Sequence, residues 1–291
     1  MKIVTTLIAL KEEIKAQKQG TIGYVPTMGF LHEGHLSLVD AAVKENDFVV
    51  MSIFVNPLQF GPNEDFDRYP RDEERDKQLA EEAGVDLIFM PQIEEMYPEE
   101  ISMKLSVTKG VDVLCGQSRP GHFDGVVTVL TKLFHLIEPT NAYFGLKDAQ
   151  QYAVVHQLVT QYNFPLTLIG LPTVREHDGL AKSSRNVYLT KEEREKATIL
   201  YKSLSFGQQL VVDGTKNHAT IKEAVKNYIT TNSDATIDYV DVLPYPTLDR
   251  ERETDKLIIA VAVQFDKARL IDNFIITNDG EKIVQLREGG L

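Results

Sequence analysis

Two histidines, His32 and His35, flank Gly34 in the stretch Pro26-Thr-Met-Gly-Phe-Leu-His-Glu-Gly-His35. Imidazole nitrogens can donate hydrogen bonds to phosphate oxygens. Apolar Ile22, Tyr24 and Val25 lead into the stretch, and Leu36, Val39 and Val43 recur after it at helical spacing. It therefore reads as a strand-to-helix turn. A helix start presents free N–H groups and partial positive charge, which suits a phosphate, and Gly29 and Gly34 let backbone come close to a ligand.

Three further clusters carry usable chemistry. Asn56 and Gln59, in Phe54-Val-Asn-Pro-Leu-Gln-Phe-Gly61, bear amides able to fix hydroxyls and a carboxylate without bringing charge. Asn-Pro and Gly are equally good turn formers, so plain turn chemistry stays open. Lys147 and Asp148, in Phe144-Gly-Leu-Lys-Asp-Ala-Gln-Gln151, offer a point charge for a polyphosphate and a carboxylate for a nucleotide hydroxyl; Gln151 opens the next helix on the same crevice. A solvated Lys-Asp turn is the alternative. Lys182, Ser183, Ser184 and Arg185 form a dense set of phosphate donors. Gly179 ahead of them suggests a loop able to move over a ligand. Arg119, in Arg119-Pro-Gly-His-Phe123, reads as a substrate clamp or a rigid turn. His135 and His156 lie in apolar helical stretches and are expected to be packed structural residues, His218 to start a helix, and the acidic run Glu94–Glu100 to be a solvated loop.

Elements that position these clusters can be read from periodicity. Strands are expected at Ile22–Val25, Phe48–Val55, Val85–Met90, Ala142–Phe144 and Leu166–Leu171, with helices at Leu36–Glu45, Arg71–Ala83, Val126–Leu136 and Gln151–Gln161 between them. Such alternation argues for an α/β parallel sheet with helices on both faces. In such sheets ligands sit at the carboxyl ends of the strands, just where the clusters fall. From residue 190 the texture changes. A capping box, Thr190 with Glu193, opens a long helix to about Val211, and a second follows near Ile221–Thr230. Three strands then follow without helices, Thr236–Val242, Lys256–Gln264 and Arg269–Thr277, as in an α+β unit with a small antiparallel sheet. The expected domains are residues 1–174 and 175–291.

Composition narrows the function classes. The chain has 291 residues, 43% hydrophobic and 25% charged, with a formal net charge of −12. That balance argues against a nucleic-acid partner, and an anionic substrate must be drawn by local cations rather than by the whole-protein field. Cys115 is the single cysteine, which excludes an internal disulfide and a cysteine-based zinc site; it reads as a small buried apolar residue. Lys11-Glu-Glu13 interrupts the first apolar run too early for a signal peptide, and no apolar run approaches ~20 residues. A cytoplasmic protein without membrane contact is expected.

The histidine turn and the Lys-Ser-Ser-Arg loop look like the paired signatures of the HxGH-type nucleotidyltransferase superfamily. More narrowly, six motifs in order resemble the pantoate–β-alanine ligase family: Pro26-Thr-Met-Gly with His32-Glu-Gly-His35, Phe54–Gly61, Arg119–Phe123, Phe144–Asp148, Gly179–Asn186 and Ala268–Asn273. Lys182 stands where that family often has methionine, and Leu146 where it often has a charged residue. The resemblance implies a Rossmann-like domain with a smaller lid domain, commonly a homodimer, acting on small molecules. The implied reaction condenses pantoate with β-alanine through a pantoyl adenylate, consuming ATP with Mg²⁺ and releasing AMP and pyrophosphate. Carried over by position, Pro26, Thr27 and Met28 to His35 line the ATP site, with His35 the proton donor. Gly145, Lys147 and Asp148 hold the nucleotide, and Val174 with Lys182–Arg185 contacts adenine and phosphates. Gln59 and Gln151, with Asn56 and Arg119, bind pantoate; Gln59 also binds β-alanine, and Asp76 joins the Mg²⁺ shell. His32, His35, Lys147, Ser183, Ser184 and Arg185 are the candidate catalytic residues. Two other readings stay open: an adenylyltransferase with a phosphate acceptor, and a non-catalytic nucleotide-sensing module.

Overall fold

The structure, a computed structural model, describes residues 1–17, 19–62 and 64–289. Among them ten strands build two sheets. β1 (Lys2–Val4), β2 (Ile22–Thr27), β3 (Phe48–Ile53), β4 (Leu87–Phe89), β5 (Asn141–Gly145) and β6 (Thr167–Leu171) belong to the first. β7 (Thr236–Pro244), β8 (Lys256–Gln264) and β9 (Arg269–Thr277) form the second, and β10 (Leu286–Gly289) returns to the first. The larger sheet has the order β1-β4-β3-β2-β5-β6-β10. All its pairings are parallel except that of β10 with β6.

Strands buried on both faces read as continuous apolar runs, and side-chain alternation splits them between two cores. Tyr24, Val50, Leu87, Ala142 and Leu168 point into one core, with Phe134 and Val155 of the helices His122–Ile137 and Ala149–Gln161. Val25, Val49, Ile88, Tyr143 and Ile169 point into the other, with Leu38, Val39 and Ala42 of the helix Glu33–Glu45. The second sheet repeats this logic. Leu257, Ile259 and Val261 pack on the helices Ile199–Val212 and His218–Asn232, while Ile258 and Ala260 turn toward the first core.

The expected strands and helices are present, and the sheets are parallel and antiparallel as read. His218 starts its helix, and the Thr190–Glu193 capping box forms. Three features differ. The edge strand β1 is too short to leave a pattern. β10 places the last described residues on the larger sheet, beside β6, and its Arg287 and Glu288 mask a strand pattern. The long helix after residue 190 is two helices, Lys191–Lys196 and Ile199–Val212. Thr198 returns its hydroxyl to the carbonyl of Glu195 at 3.0 Å, a bond that competes with the helical ladder. The first helix buries nothing, whereas the second buries Leu200, Leu204 and Val211.

Two histidines are also placed differently from expectation or only in part. His135 is exposed, with Nδ1 2.7 Å from the carbonyl of Thr131. His156 is half-buried, 4.0 Å from Glu288. The acidic run contains a short helix, Ile93–Met96, whose Glu95 accepts a hydrogen bond from the backbone N–H of Leu7 at 2.7 Å.

Candidate active site

At the carboxyl ends of the parallel strands a crevice of about 1000 Å³ opens between the two sheets. Lys147, Asp148, Gln151, Ser183, Arg185 and Arg119 stand in its wall. The histidine turn lies beside it.

The turn is built by close approach. β2 runs through Pro26 and ends at Thr27, whose hydroxyl donates to the carbonyl of Ser52 at 2.8 Å and accepts from the N–H of Gly29 at 3.2 Å. Met28 is half-buried beside it. His32 is the N-cap of the helix Glu33–Glu45: its Nδ1 accepts from the N–H of Gly34, and Nδ1 of His35 accepts from the N–H of His32, at 3.1 and 3.3 Å. A Cβ on Gly34 would lie 2.8 Å from Cε1 of His32, so only glycine lets the ring fold over the helix start. The two rings lie 4.1 Å apart between centroids. Because both Nδ1 atoms accept, both Nε2 atoms carry the proton and are donors.

Burial lowers the pKa of His32 to about 4, helped by the charge on Lys147. It lowers that of His35 to about 3, helped by His32 and then Lys147. In the free protein His35 is thus neutral at pH 7 and offers a hydrogen bond rather than a charge. His122 is likewise pushed down to about 4 by burial and then by Arg119. Each of the three folded pKa values lies below the unfolded value near 6.5. The stability they support is therefore complete above about pH 6.5 and is lost as the pH falls toward the folded values. Unfolding at pH 5 is expected to take up roughly three protons from these histidines. The melting temperature should fall as the pH drops from 6.5 to 5, and a flat profile over that interval would contradict the assignment.

Distant loops meet here. Nζ of Lys182 lies 3.2 Å from Glu33, the residue between the two histidines' capping bonds, and 3.3 Å from Glu176. The N–H of Lys182 donates to the carbonyl of Val174 at 2.9 Å. Ser183 caps the short turn that holds Ser184 and Arg185, and Ser184 is buried. Arg185 donates from Nη2 to both carboxylate oxygens of Asp65 at 3.1 Å. Lys147 lies 3.7 Å from Asp148, whose side chain is 51% exposed. Above them Gly145 faces open space, since a Cβ there would meet nothing within 4 Å. Leu146, the departure from the family pattern, is a buried core residue.

The amide cluster sits behind Arg119 and His122. Asn56 donates from Nδ2 to Oε1 of Gln59 and to the carbonyl of Gly125, at 3.0 and 3.1 Å, and its Oδ1 accepts from Tyr97 and from the N–H of Leu58. These four bonds fix the Asn56 amide and hold Oε1 of Gln59 in place. Gln59 keeps Nε2 without a partner among the described residues. Nδ1–H of His122 donates to the carbonyl of Gln59 at 2.7 Å, and Arg119 donates to the same oxygen at 3.2 Å. Arg119 also grips the carboxylate of Glu64 with two nitrogens. Its charge is thereby matched, and its contacts hold the Gln59 loop. A Cβ on Gly125 would lie 2.2 Å from the carbonyl of Leu58, which explains how the helix His122–Ile137 seats directly on that loop.

Asp76 is 1% exposed, and its two oxygens accept the N–H groups of Phe30 and Leu31, each at 2.7 Å. It braces the histidine turn. Among the described residues no three His, Cys, Asp or Glu side chains are grouped to hold an ion. Periodicity could not disclose these braces, nor Glu64 and Asp65. Asp272 and Asn273, which end the Ala268–Asn273 motif, leave a further signal as a polar pair inside the apolar strand Arg269–Thr277.

A parallel sheet with cationic loops converging at its carboxyl ends is the architecture of an α/β nucleotide-binding enzyme. Across residues 2–275 the chain matches the family model described as pantoate-beta-alanine ligase. The chain belongs to that family and is a ligase that joins pantoate to β-alanine. A pantothenate synthetase of Geobacillus sp. (strain WCH70) is 58% identical over 278 residues, covering 94% of this chain and 99% of the relative. A crystal structure of the pantothenate synthetase from Thermus thermophilus superposes with a TM-score of 0.88 at 46% identity, covering 94% and 98% of the two chains. That of a pantoate-beta-alanine ligase from Francisella tularensis, complexed with beta-gamma ATP and beta-alanine, superposes with a TM-score of 0.77 at 33% identity, covering 94% and 97%.

Proposed function

We propose that the crevice binds ATP with its phosphates between Lys147, the Lys182–Arg185 loop and the two histidine Nε2–H groups, and that pantoate lies against Gln59 and Gln151. Its carboxylate is ionised at neutral pH and needs no general base. Alignment and charge neutralisation are what remain to be supplied. The carboxylate oxygen forms a bond to the α-phosphorus as the bond to the β-phosphate bridge breaks, giving pantoyl adenylate and pyrophosphate. The amine of β-alanine then attacks the acyl carbon, losing a proton as AMP departs and the amide forms. Gln151 faces the crevice as a neutral amide, and Gln59 presents a donor, which suits a carboxylate acceptor better than a phosphate.

What supports this reading is one contact above all. The Lys182–Glu33 pair, 3.2 Å long, ties the helix that carries both histidines to the Lys-Ser-Ser-Arg loop 149 positions away in the chain. Mg²⁺ fits this donor set as an ion carried by the triphosphate, which usually leaves the protein only one or two carboxylates to supply. Asp148 would hold it, and the ion would neutralise phosphate charge. The same reading takes residues 175–291, less β10, as a lid over the acyl adenylate, keeping water away. It also includes a cytoplasmic setting and the homodimer implied by the family.

Pyrophosphate release tests the scheme directly. With ATP, Mg²⁺ and pantoate but no β-alanine, one pyrophosphate per site is expected, with a trappable acyl adenylate; β-alanine should convert this burst to steady turnover. Release that ignores pantoate, or formation of ADP in place of AMP, would overturn it.

A further inference from the structure

Asp272 and Asn273 are adjacent on β9, 2% and 7% exposed, in a strand otherwise dominated by apolar side chains. Burying two such groups is unfavourable unless each is satisfied, and both are satisfied by loops of the first sheet or of the crevice. Nδ2 of Asn273 donates to the carbonyls of Leu146 and Lys147, at 3.0 and 2.8 Å. Asp272 accepts from two nitrogens of Arg175 at 2.6 and 2.9 Å. Arg175 donates in turn to the carbonyl of Gly179 at 3.0 Å, and Arg175 pairs with Ala181 as an isolated bridge. Oδ1 of Asp272 also accepts the backbone N–H of Asn273 at 2.8 Å, which fixes the carboxylate against its own strand.

We propose that Asp272 and Asn273 are positioning residues through which the smaller sheet sets both phosphate loops of the crevice. Asn273 fixes the turn that aims Lys147, and Asp272 fixes the base of the loop that carries Lys182 to Arg185. The amide is the right group for the first task. One NH₂ reaches two carbonyls, and it does so without placing a negative charge where a polyphosphate lies. The carboxylate is right for the second, because a guanidinium matches it with two parallel bonds. Registering both loops to a single strand means that one rigid element sets the distance between their cations. This inference rests on the reading of Lys147 as a phosphate contact.

A double-mutant cycle with Lys147→Ala separates the two ideas. Asn273→Leu removes the donor at nearly constant volume and should lower kcat/KM for ATP about tenfold, with KM for pantoate within about twofold of the parent, the loss expected of two net hydrogen bonds. In the Lys147→Ala background the same substitution should change kcat/KM for ATP by less than about twofold, because the group it positions is gone. An equal loss in both backgrounds, or no loss in the parent, overturns the positioning role. If Lys147→Ala alone leaves ATP use unchanged, it is instead the phosphate assignment of Lys147 that fails. Should Asn273→Leu not fold, Asn273→Ser keeps one donor and reads the same cycle, with a smaller loss in the parent and none in Lys147→Ala.

Discussion

Replacing His35 with alanine lowers kcat by about a hundredfold or more, with little change in KM for pantoate. The figure is that of one lost donor to charge developing in the transition state, and a hundredfold corresponds to about 2.7 kcal/mol. The ring is held in two ways: its Nδ1 accepts from the N–H of His32, and it lies against the His32 ring. Only Nε2–H is left to act, and its direction is fixed before any ligand arrives. The depressed pKa of about 3 means that this donor is present throughout the neutral range. Loss of activity in His35→Ala should therefore be uniform from pH 6 to 8. His35→Gln, which can return an N–H to the region but not the capping bond, should recover part of the rate. Near-normal turnover in His35→Ala would remove His35 from the chemistry.

The parts of the fold legible in the sequence are those where burial imposes a period. Phe48–Ile53 is apolar at every position but Ser52, because both faces of β3 are covered, and the helix Glu33–Glu45 shows its inward stripe of Leu38, Val39 and Ala42. The loops proposed to hold phosphate stand out for another reason, since dense cations, hydroxyls and glycines just after strands have few structural uses. What stayed hidden depends on pairs distant in the chain. Nothing local in Asp76 says that it will accept two N–H groups from residues 30 and 31, and nothing in Glu64 says that it will neutralise Arg119. Asn56 shows the limit well. Residue type marks it as a candidate substrate ligand, whereas its four hydrogen bonds to Gln59, Gly125, Leu58 and Tyr97 are made only by the tertiary fold. An amide's role is set by which of its atoms remain free, and that is a tertiary property.

That same constraint makes Gln59→Ala the sharpest test of the acceptor end. The loop itself should survive the change. His122 and Arg119 hold the backbone carbonyl of Gln59, which alanine keeps, and Asn56 retains Gly125, Tyr97 and Leu58. What disappears is Nε2–H, which has no partner among the described residues, Oε1 being occupied by Asn56. A hydrogen bond to a charged group contributes about 1.5–3 kcal/mol, so KM for pantoate should rise by about ten- to a hundredfold. KM for ATP should stay within about twofold, since no phosphate contact passes through this residue. Equal loss of both substrates would place Gln59 in the scaffold and move the pantoate site toward Gln151. Asn56→Ala provides the complementary measurement. It leaves the amide present but free to flip, so pantoate should weaken by less than in Gln59→Ala. Combining the two substitutions should add little to Gln59→Ala alone, because Asn56 acts on substrate only through the amide that is already gone.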